Sequence, residues 1–330
     1  MRHLLLTSAA ALILAACGAP ESPETTTTTT PVETPTSTQE TSAVEAETAR
    51  LNAWFDEKYE EQLLRSPISL TQLGRKEKYD QIDDISVEAQ KADLDWQLAT
   101  AAEMEANFDR DMLTDEAKIS YDLWLGLADR AEEGWKGRQH GYVFEQMGGW
   151  QTFPADFLIA YHRVDTEADA EAYIARIDGF ATAMGLLIEQ AKASAEIGVR
   201  PPKFAYRGAL EQAKNLVSGF PFEEGEDNSI LSDFKTKAEY LVESEAITQE
   251  RADEMISEAE AALSGEFKTT YDELINWLET DVENSAESFG ISELPDGEAY
   301  YNYRLASATT TDLTADEVHA FVPGGFHNLV

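Results

Sequence analysis

The chain has 330 residues, with 63 acidic against 25 basic side chains and a formal net charge of −38. Nucleic-acid binding and charge-driven docking onto anionic lipid both need a basic surface, so this composition excludes both. The length is sufficient for one large domain or two smaller ones, each with a sizeable core.

The N-terminus carries the pattern of an export signal. Arg2 precedes an apolar run from Leu4 to Ala16. A membrane-spanning helix needs ~20 apolar residues, so this shorter run is typical of a secretory signal peptide. We therefore assign residues 1–17 to a signal peptide and exclude them from the fold.

The apolar run ends in Leu-Ala-Ala-Cys, and Cys17 is the single cysteine of the chain. This ending resembles the lipobox of bacterial lipoproteins. The resemblance implies that cleavage leaves Cys17 as the new N-terminus with an acylated sulfur, which accounts for an exported cysteine without a disulfide partner. Gly18 follows, in place of the aspartate associated with retention in the inner membrane, which favours the outer membrane, facing the periplasm. An ordinary signal peptide with a chance cysteine is the alternative.

Residues 18–45 are rich in Thr, Pro and Glu and contain no large apolar cluster. Such a segment buries too little apolar surface to offset the entropy of ordering it. It is predicted to be a disordered tether, which as a coil spans on the order of 30 Å and holds a domain off a membrane. A plain disordered terminus is the alternative.

The body of the chain, residues 46–320, has apolar residues at helical spacing almost throughout. Leu51, Phe55 and Tyr59, for example, recur at intervals of four residues. We predict an all-α domain of long antiparallel helices, with the segment 141–153 as its one ambiguous stretch. The aromatic residues within the apolar stripes are assigned to the core rather than to a cofactor site.

Start signals place three further helices. Thr114 and Thr248 precede acidic or polar first turns, where a capping hydroxyl is favoured. Thr166 and Asp169 have the spacing of a capping box, with Asp in place of the usual Glu or Gln. The run that follows Thr248 is predicted to form one long apolar stripe that extends to Leu278.

Motifs for catalysis and metal binding are scarce. No histidine is followed by glutamate in the H-E-x-x-H manner, in which two histidines on one helical face hold zinc and the glutamate acts as base. There is also no G-x-S-x-G elbow and no phosphate-binding glycine loop. His140 and His162 could form a long-range metal pair, but isolated histidines in a helical protein are usually hydrogen-bonded within the fold.

Two segments carry a family resemblance. They are Gly198–Gly219 and Leu294–Phe321, the second of which combines a Tyr-Tyr-Asn-Tyr-Arg stretch, a threonine run and a capping box. Together with the lipoprotein-like start and the helical body, they resemble the bacterial family of domain of unknown function 885 over residues 50–320. Members of that family are similar to helical zinc metallopeptidases and are usually near twice this length. Their catalytic segment lies downstream and combines a His-Glu pair, a nearby Pro-Gly-His and a later glutamate.

The resemblance implies the N-terminal half of a helical zinc-metallopeptidase-like fold. Zinc is then expected in full-length relatives, with no metal ligand, cofactor or catalytic residue in this chain. The signature segment Leu294–Phe321 would line a peptide cleft, with Tyr301, Arg304, Thr310 and His319 as candidate substrate-binding residues. Packing between helices and helix capping are the alternative roles of these four side chains.

The last residues differ from the family pattern. Ala320 follows His319, whereas the catalytic His-Glu pair of the family has glutamate directly after the histidine. Pro323 and the glycines after it are predicted to end the last helix at Val322. Residues 321–330 are interpreted as an aberrant tail left by a frameshift or a premature stop. A genuine short variant and a relict metal site are the alternatives.

The sequence therefore predicts a lipid-anchored, periplasm-facing helical protein that resembles the N-terminal half of a zinc-dependent peptidase and is inactive alone. Its predicted partners are the membrane, through the lipid anchor, and a peptide substrate. The alternative is a complete, non-catalytic lipoprotein that binds a ligand or a protein. Helices that evolved to pack against a second half are also expected to leave apolar stripes exposed.

Overall fold

The computed structural model describes residues 36–326, and for residues 43–320 it also describes the side chains. Over this range the chain is helical, and its β pairing is limited to an isolated bridge between Phe220 and Asp227. The predicted signal peptide, Cys17 and most of the predicted tether lie outside the described residues. No helix in the described range is both long and apolar enough to cross a membrane.

Twelve α-helices are described, and the all-α prediction is confirmed over this range. Their bounds are α1 Thr36–Leu63, α2 Pro67–Gln72, α3 Val87–Asn107, α4 Asp115–Lys136, α5 Phe153–Ala160, α6 Glu167–Glu196, α7 Lys203–Leu216, α8 Ser229–Glu243, α9 Gln249–Ala262, α10 Lys268–Asp281, α11 Gly297–Thr309 and α12 Ala315–Phe326. The contacts considered below lie within one compact unit, Ala43–Val330. The ambiguous stretch forms no strand: it is irregular up to the start of α5.

The three predicted helix starts are confirmed. The Thr114 side chain accepts a hydrogen bond from a first-turn N–H of α4, and Thr248 does the same at the start of α9. Thr166 and Asp169 form both hydrogen bonds of a capping box before α6. These bonds satisfy N–H groups that have no partner within the helix, and each contributes ~1 kcal/mol to stability.

α1 begins at Thr36, before residue 46, where the sequence predicts that the tether ends. The helix therefore begins within the segment assigned to the tether, and the domain boundary itself stays a prediction. Residues 43–47 read Ala-Val-Glu-Ala-Glu, and alanine and glutamate are strong helix formers. A segment without an apolar cluster can thus extend a helix whose later turns are packed.

The helical backbone of the run that follows Thr248 is interrupted between α9 and α10. A π turn joins these two helices, and it contains a non-helical residue, Gly265 (φ −84°, ψ −122°). Glycine tolerates such a break because it has no side chain to clash. The apolar stripe nevertheless continues across the turn, since Leu263 and Phe267 are both fully buried.

α12 extends to Phe326 and so passes through Pro323. The predicted helix end at Val322 is therefore wrong. Proline within a helix removes one backbone hydrogen bond and crowds the carbonyl four residues earlier, at a cost of ~3 kcal/mol. Pro323 lies in the last turn of α12, and the helix ends three residues later.

The larger of two cores surrounds α6, which contacts α5, α8, α9 and α10. The predicted apolar stripe of α6, formed by Tyr173, Ile177, Phe180 and Met184, is almost completely buried. Phe180 packs edge-on against Phe157 of α5, with 5.7 Å between the ring centroids. α6 is therefore a fixed element from which its side chains can position other segments.

A smaller core joins α1, α3 and α4. Trp54 of α1 packs edge-on against Phe108 and Trp124, with centroid separations of 5.8 and 5.3 Å. The Trp54 indole N–H donates to Glu103 at 2.8 Å. Trp54 and Trp124 are thus core residues, as the sequence predicts.

Candidate functional site

A cleft of about 900 Å³ lies between the C-terminal end of α1, α2, α3 and α6, and the segment 141–150 closes one side of it. Cavities of roughly 300–1,000 Å³ are typical of ligand sites. The lining combines aromatic rings with side-chain amides. The aromatic residues are Tyr59, Trp96, Tyr142 and Trp150, and the amide residues are Gln62, Gln72, Gln90, Gln97 and Gln190.

Asp83 connects the loop before α3 to the first turn of α2. Its carboxylate accepts hydrogen bonds from the Ser66 hydroxyl at 2.7 Å and from the Ile68 N–H at 2.9 Å. Ser66 also caps α2, because its hydroxyl accepts from the Ser69 N–H. Two segments that are separate in sequence are thereby joined into one wall of the cleft.

A buried arginine, Arg176 of α6, holds this wall from behind. Its guanidinium is fully buried and donates to the Gln81 carbonyl at 2.9 Å and to the Thr71 hydroxyl at 2.6 Å. Burial lowers the pKa of Arg176 to about 10, so the side chain stays cationic at neutral pH. A buried charge is costly unless its hydrogen-bonding groups are satisfied. This requirement fixes the position of residues 71–81.

His162 completes the network around Arg176. Arginine can only donate hydrogen bonds, so its guanidinium donates to Nδ1 of His162 at 2.9 Å, and the Nε2–H of His162 donates to the Asp169 carbonyl at 2.9 Å. Burial lowers the pKa of His162 to about 3. Both ring nitrogens are occupied, so the hydrogen-bonded alternative is confirmed for this histidine. Across the described residues, no group of three or more His, Cys, Asp or Glu side chains is placed to hold a metal ion.

Two glutamines join α3 to α6 at the cleft. The Gln90 and Gln190 amides both donate to the Ile85 carbonyl at 2.9 Å. The Gln90 amide also donates to the Gln190 side-chain oxygen at 3.1 Å. The position of α3 relative to the larger core is therefore fixed by polar contacts as well as by packing.

Arg65 is the basic residue of the cleft lining, and it is already paired. Its Nε lies 3.4 Å from the Asp93 carboxylate, and its guanidinium lies 5.5 Å from the centroid of the Trp96 ring. The Trp96 N–H donates to Glu61 at 3.2 Å. Arg65 thus neutralises one of the three aspartates that line the cleft.

The four candidate substrate-binding residues lie outside this cleft, on α11, on α12 and between them. Tyr301 and His319 are exposed, and Arg304 donates to the Tyr300 hydroxyl at 3.1 Å. Thr310 ends α11 in the left-handed conformation (φ 53°), and its hydroxyl donates to the preceding carbonyl. The four side chains do not meet in one described pocket, and their role in substrate binding stays a prediction.

Two other tyrosines of the signature segment anchor α11 on α4. Tyr303 fills the space that a side chain at Gly134 would occupy. Tyr300 stacks on His140, with 4.9 Å between the ring centroids, and Nε2–H of His140 donates to the Pro295 carbonyl at 2.7 Å. His140 is therefore also hydrogen-bonded within the fold, which is the alternative that the sequence left open.

One signal in the sequence could have pointed to the cleft. Arg176 stands three residues after Tyr173 and one before Ile177, in the middle of an apolar helical stripe. A charged residue at such a position is buried only with a specific set of partners, so it marks a place where other segments are fixed. The aromatic and glutamine residues of the lining come from several separate segments and share no spacing, which leaves no local signal to find.

Known proteins resemble this chain in fold and in family. A crystal structure from Colwellia psychrerythraea, described as that of a "putative lipoprotein", matches with a TM-score of 0.68 at 18% sequence identity. The match covers 83% of this chain and 48% of that chain, so this chain spans about half the length of the solved structure. A search of curated proteins found no match. Residues 67–322 match the family described as bacterial protein of unknown function, DUF885, and the chain belongs to that family.

Proposed function

We propose that this chain binds peptides in the cleft between α1, α3 and α6, as the non-catalytic helical part of a lipid-anchored protein similar to zinc-dependent peptidases. The observation that carries the proposal is the cleft of about 900 Å³, whose lining offers both amide groups and aromatic rings. A peptide backbone presents complementary N–H and carbonyl groups, and its side chains pack on aromatic surfaces. A peptide therefore suits both kinds of lining residue.

The chain alone is proposed to have no hydrolase activity. A zinc peptidase needs residues that hold the metal and a carboxylate that activates water, and this sequence contains no histidine followed by glutamate. The chain spans about half the length of the solved structure that it resembles. We place the hydrolytic residues in the part of the longer relatives that this chain does not span.

Lipid anchoring at Cys17 is the second part of the proposal, and the Leu-Ala-Ala-Cys motif supports it. Acylation would hold the protein on the cell envelope, with the outer membrane favoured and the helical domain facing the periplasm. Cys17→Ser is expected to move the chain from the membrane fraction to the soluble periplasmic fraction. An unchanged membrane fraction would contradict anchoring through this residue.

The test of peptide binding is a titration of the full chain with an uncharged peptide, with zinc content and peptide cleavage measured on the same preparation. Gly141 lines the cleft, has an ordinary φ of −73° and has no atom near the position of a Cβ. Gly141→Trp is therefore expected to fill the cleft and abolish binding without straining the backbone. Gly185→Trp is the matched control, because Gly185 has the same open space and does not line the cleft.

The expected result is binding by the unmodified chain and by Gly185→Trp, no binding by Gly141→Trp, and no cleavage. Stoichiometric zinc together with peptide cleavage would defeat the non-catalytic part of the proposal. Equal binding by the two tryptophan variants would defeat the assignment of the cleft.

A non-catalytic lipoprotein that binds a ligand or a protein is the second candidate, and the same cleft favours it. The DNA beyond the codon for Val330 separates the two candidates. A His-Glu segment encoded there in another frame would support the peptidase-like relative. An unrelated gene, with related chains that end at the same place, would support the second candidate.

A further inference from the structure

Acidic side chains outnumber basic ones in the lining of the cleft. Three aspartates and one arginine line it, and Arg65 is paired with Asp93. The contacts of Asp83 and Asp84 are hydrogen bonds from neutral groups, and neither forms an ion pair with a residue that the structure describes. Within the described residues, Asp84 therefore lines the cavity without a cationic partner, and the cation that interacts with Asp83 is the buried Arg176 behind the wall.

Neutral hydrogen-bond donors contact both carboxylates. Asp83 accepts from the Ser66 hydroxyl and the Ile68 N–H. Asp84 accepts from the Ser86 N–H at 2.9 Å, and this bond lowers the pKa of Asp84. Hydrogen bonds from neutral groups favour the charged form of a carboxylate, but they leave its net charge in place.

We propose that the cleft selects peptides that carry a lysine or arginine side chain, and that Asp83 and Asp84 recognise the cation. This inference rests on the proposed peptide-binding function and names the class of peptide. The net charge of −38 acts in the same direction, because a concave site with walls of low dielectric constant concentrates the field of the surrounding charges. The cleft wall already contains a contact between a cation and an aromatic ring, because the Arg65 guanidinium lies 5.5 Å from the centroid of the Trp96 ring.

The test uses four capped peptides that differ at one position, which is lysine, arginine, norleucine or glutamate, each titrated into the full chain. Norleucine keeps most of the lysine side chain and removes its charge. We expect the lysine and arginine peptides to bind about fivefold more tightly than the norleucine peptide, as is usual for partly exposed charge pairs, and the glutamate peptide to bind most weakly. Salt at about 0.5 M is expected to remove most of the difference.

Substitutions of Asp84 and Asp83 test whether these two residues cause the preference for the lysine peptide. Asp84→Asn removes one charge with little change in shape and is expected to reduce the preference for lysine over norleucine to about twofold. Asp178→Asn is the matched control, because Asp178 is exposed on α6 and does not line the cleft. Asp83→Asn is the second variant, and circular dichroism is recorded with it because Asp83 also holds the first turn of α2.

The outcomes separate this inference from the function on which it rests. Equal affinity for the lysine and norleucine peptides would overturn the inference and leave peptide binding in place. Absence of binding by all four peptides would overturn peptide binding itself. A full preference for lysine in the double variant of Asp83 and Asp84 would overturn the role of these two residues.

Discussion

The two cores of the molecule differ in how completely they are covered. α6 is surrounded by other helices, and its apolar stripe is almost completely buried. α4 buries Tyr121 in the smaller core, but Ile119, Leu123 and Leu127 on another side are 61%, 54% and 48% exposed. Their spacing of four residues places these three side chains in one stripe. Within the described residues, then, one core is enclosed and the other has an apolar face that no helix covers.

The largest expected effect comes from cavities in the two cores. Phe180 is 1% exposed and packs against two other rings, so Phe180→Ala is expected to lower the free energy of unfolding by ~4 kcal/mol. Phe108→Ala in the smaller core is expected to lower it by ~3 kcal/mol, because α1, α3 and α4 have fewer neighbours and can shift into the space. Denaturant unfolding of both variants measures the two losses in the free energy of unfolding. A larger loss for Phe108→Ala than for Phe180→Ala would contradict the prediction.

The next effect is the dependence of stability on pH through His162. The pKa of His162 is about 3 in the folded chain and 6.5 ordinarily, so between these values the unfolded state binds a proton that the folded state does not. The contribution of His162 is therefore fully present above pH 6.5 and is lost as the pH falls from 6.5 towards 3, with about 3 kcal/mol lost by about pH 4.

The variant His162→Gln isolates this contribution. A glutamine can accept from Arg176 and donate to the Asp169 carbonyl, but it does not titrate. The free energy of unfolding should therefore fall less steeply between about pH 6.5 and 4 in this variant than in the unmodified chain. His319→Gln, at an exposed position, is the control for the histidine-to-glutamine change itself. Identical slopes in His162→Gln and the unmodified chain would contradict a buried, neutral His162.

A smaller effect tests whether Arg176 positions the cleft. Arg176→Lys keeps the charge but cannot reach Thr71, Gln81 and His162 together, because lysine lacks the forked guanidinium. We expect a loss of ~2 kcal/mol in the free energy of unfolding and a severalfold weaker affinity for peptide. Unchanged affinity in a folded variant would mean that this network serves stability alone.

The smallest effect on stability is expected at the exposed stripe of α4. Replacing Ile119, Leu123 and Leu127 by serine should change the free energy of unfolding by less than ~0.5 kcal/mol per residue. The unmodified chain is expected to bind a hydrophobic dye or to self-associate, and the triple variant to do so less. A sharp monomeric melt without dye binding by the unmodified chain would contradict an uncovered apolar face.

Local features of the fold were predictable from the sequence. The cap residue Thr166 and the stripe of α6 depend on neighbours within one or two turns, so spacing alone identifies them. The effects of Gly265 and Pro323 did not follow from spacing: the first interrupts the helix beneath a continuous apolar stripe, and the second lies within a helix. Their effects depend on how much the flanking turns gain from packing, which spacing does not report.

The candidate site was not predictable in the same way. The hydrogen bonds between Asp83 and Ser66 and between Arg176 and Gln81 form only after the loop before α3 has folded against α6. Asp83, Ser66 and Gln81 are ordinary polar side chains in the sequence, and Arg176 alone of the four stands out, because it lies within an apolar stripe. The composition of the signature segment led to the prediction of a peptide cleft there, yet two of its tyrosines, Tyr300 and Tyr303, pack α11 against α4.

Hydrogen–deuterium exchange of the full chain, with and without a saturating uncharged peptide, tests most directly where the ligand lies. We predict slower exchange in residues 62–73, 83–97 and 141–150, which line the cleft, and unchanged exchange in residues 297–320. Slower exchange confined to α11 and α12 would contradict the cleft and would place the ligand at the residues of the signature segment instead.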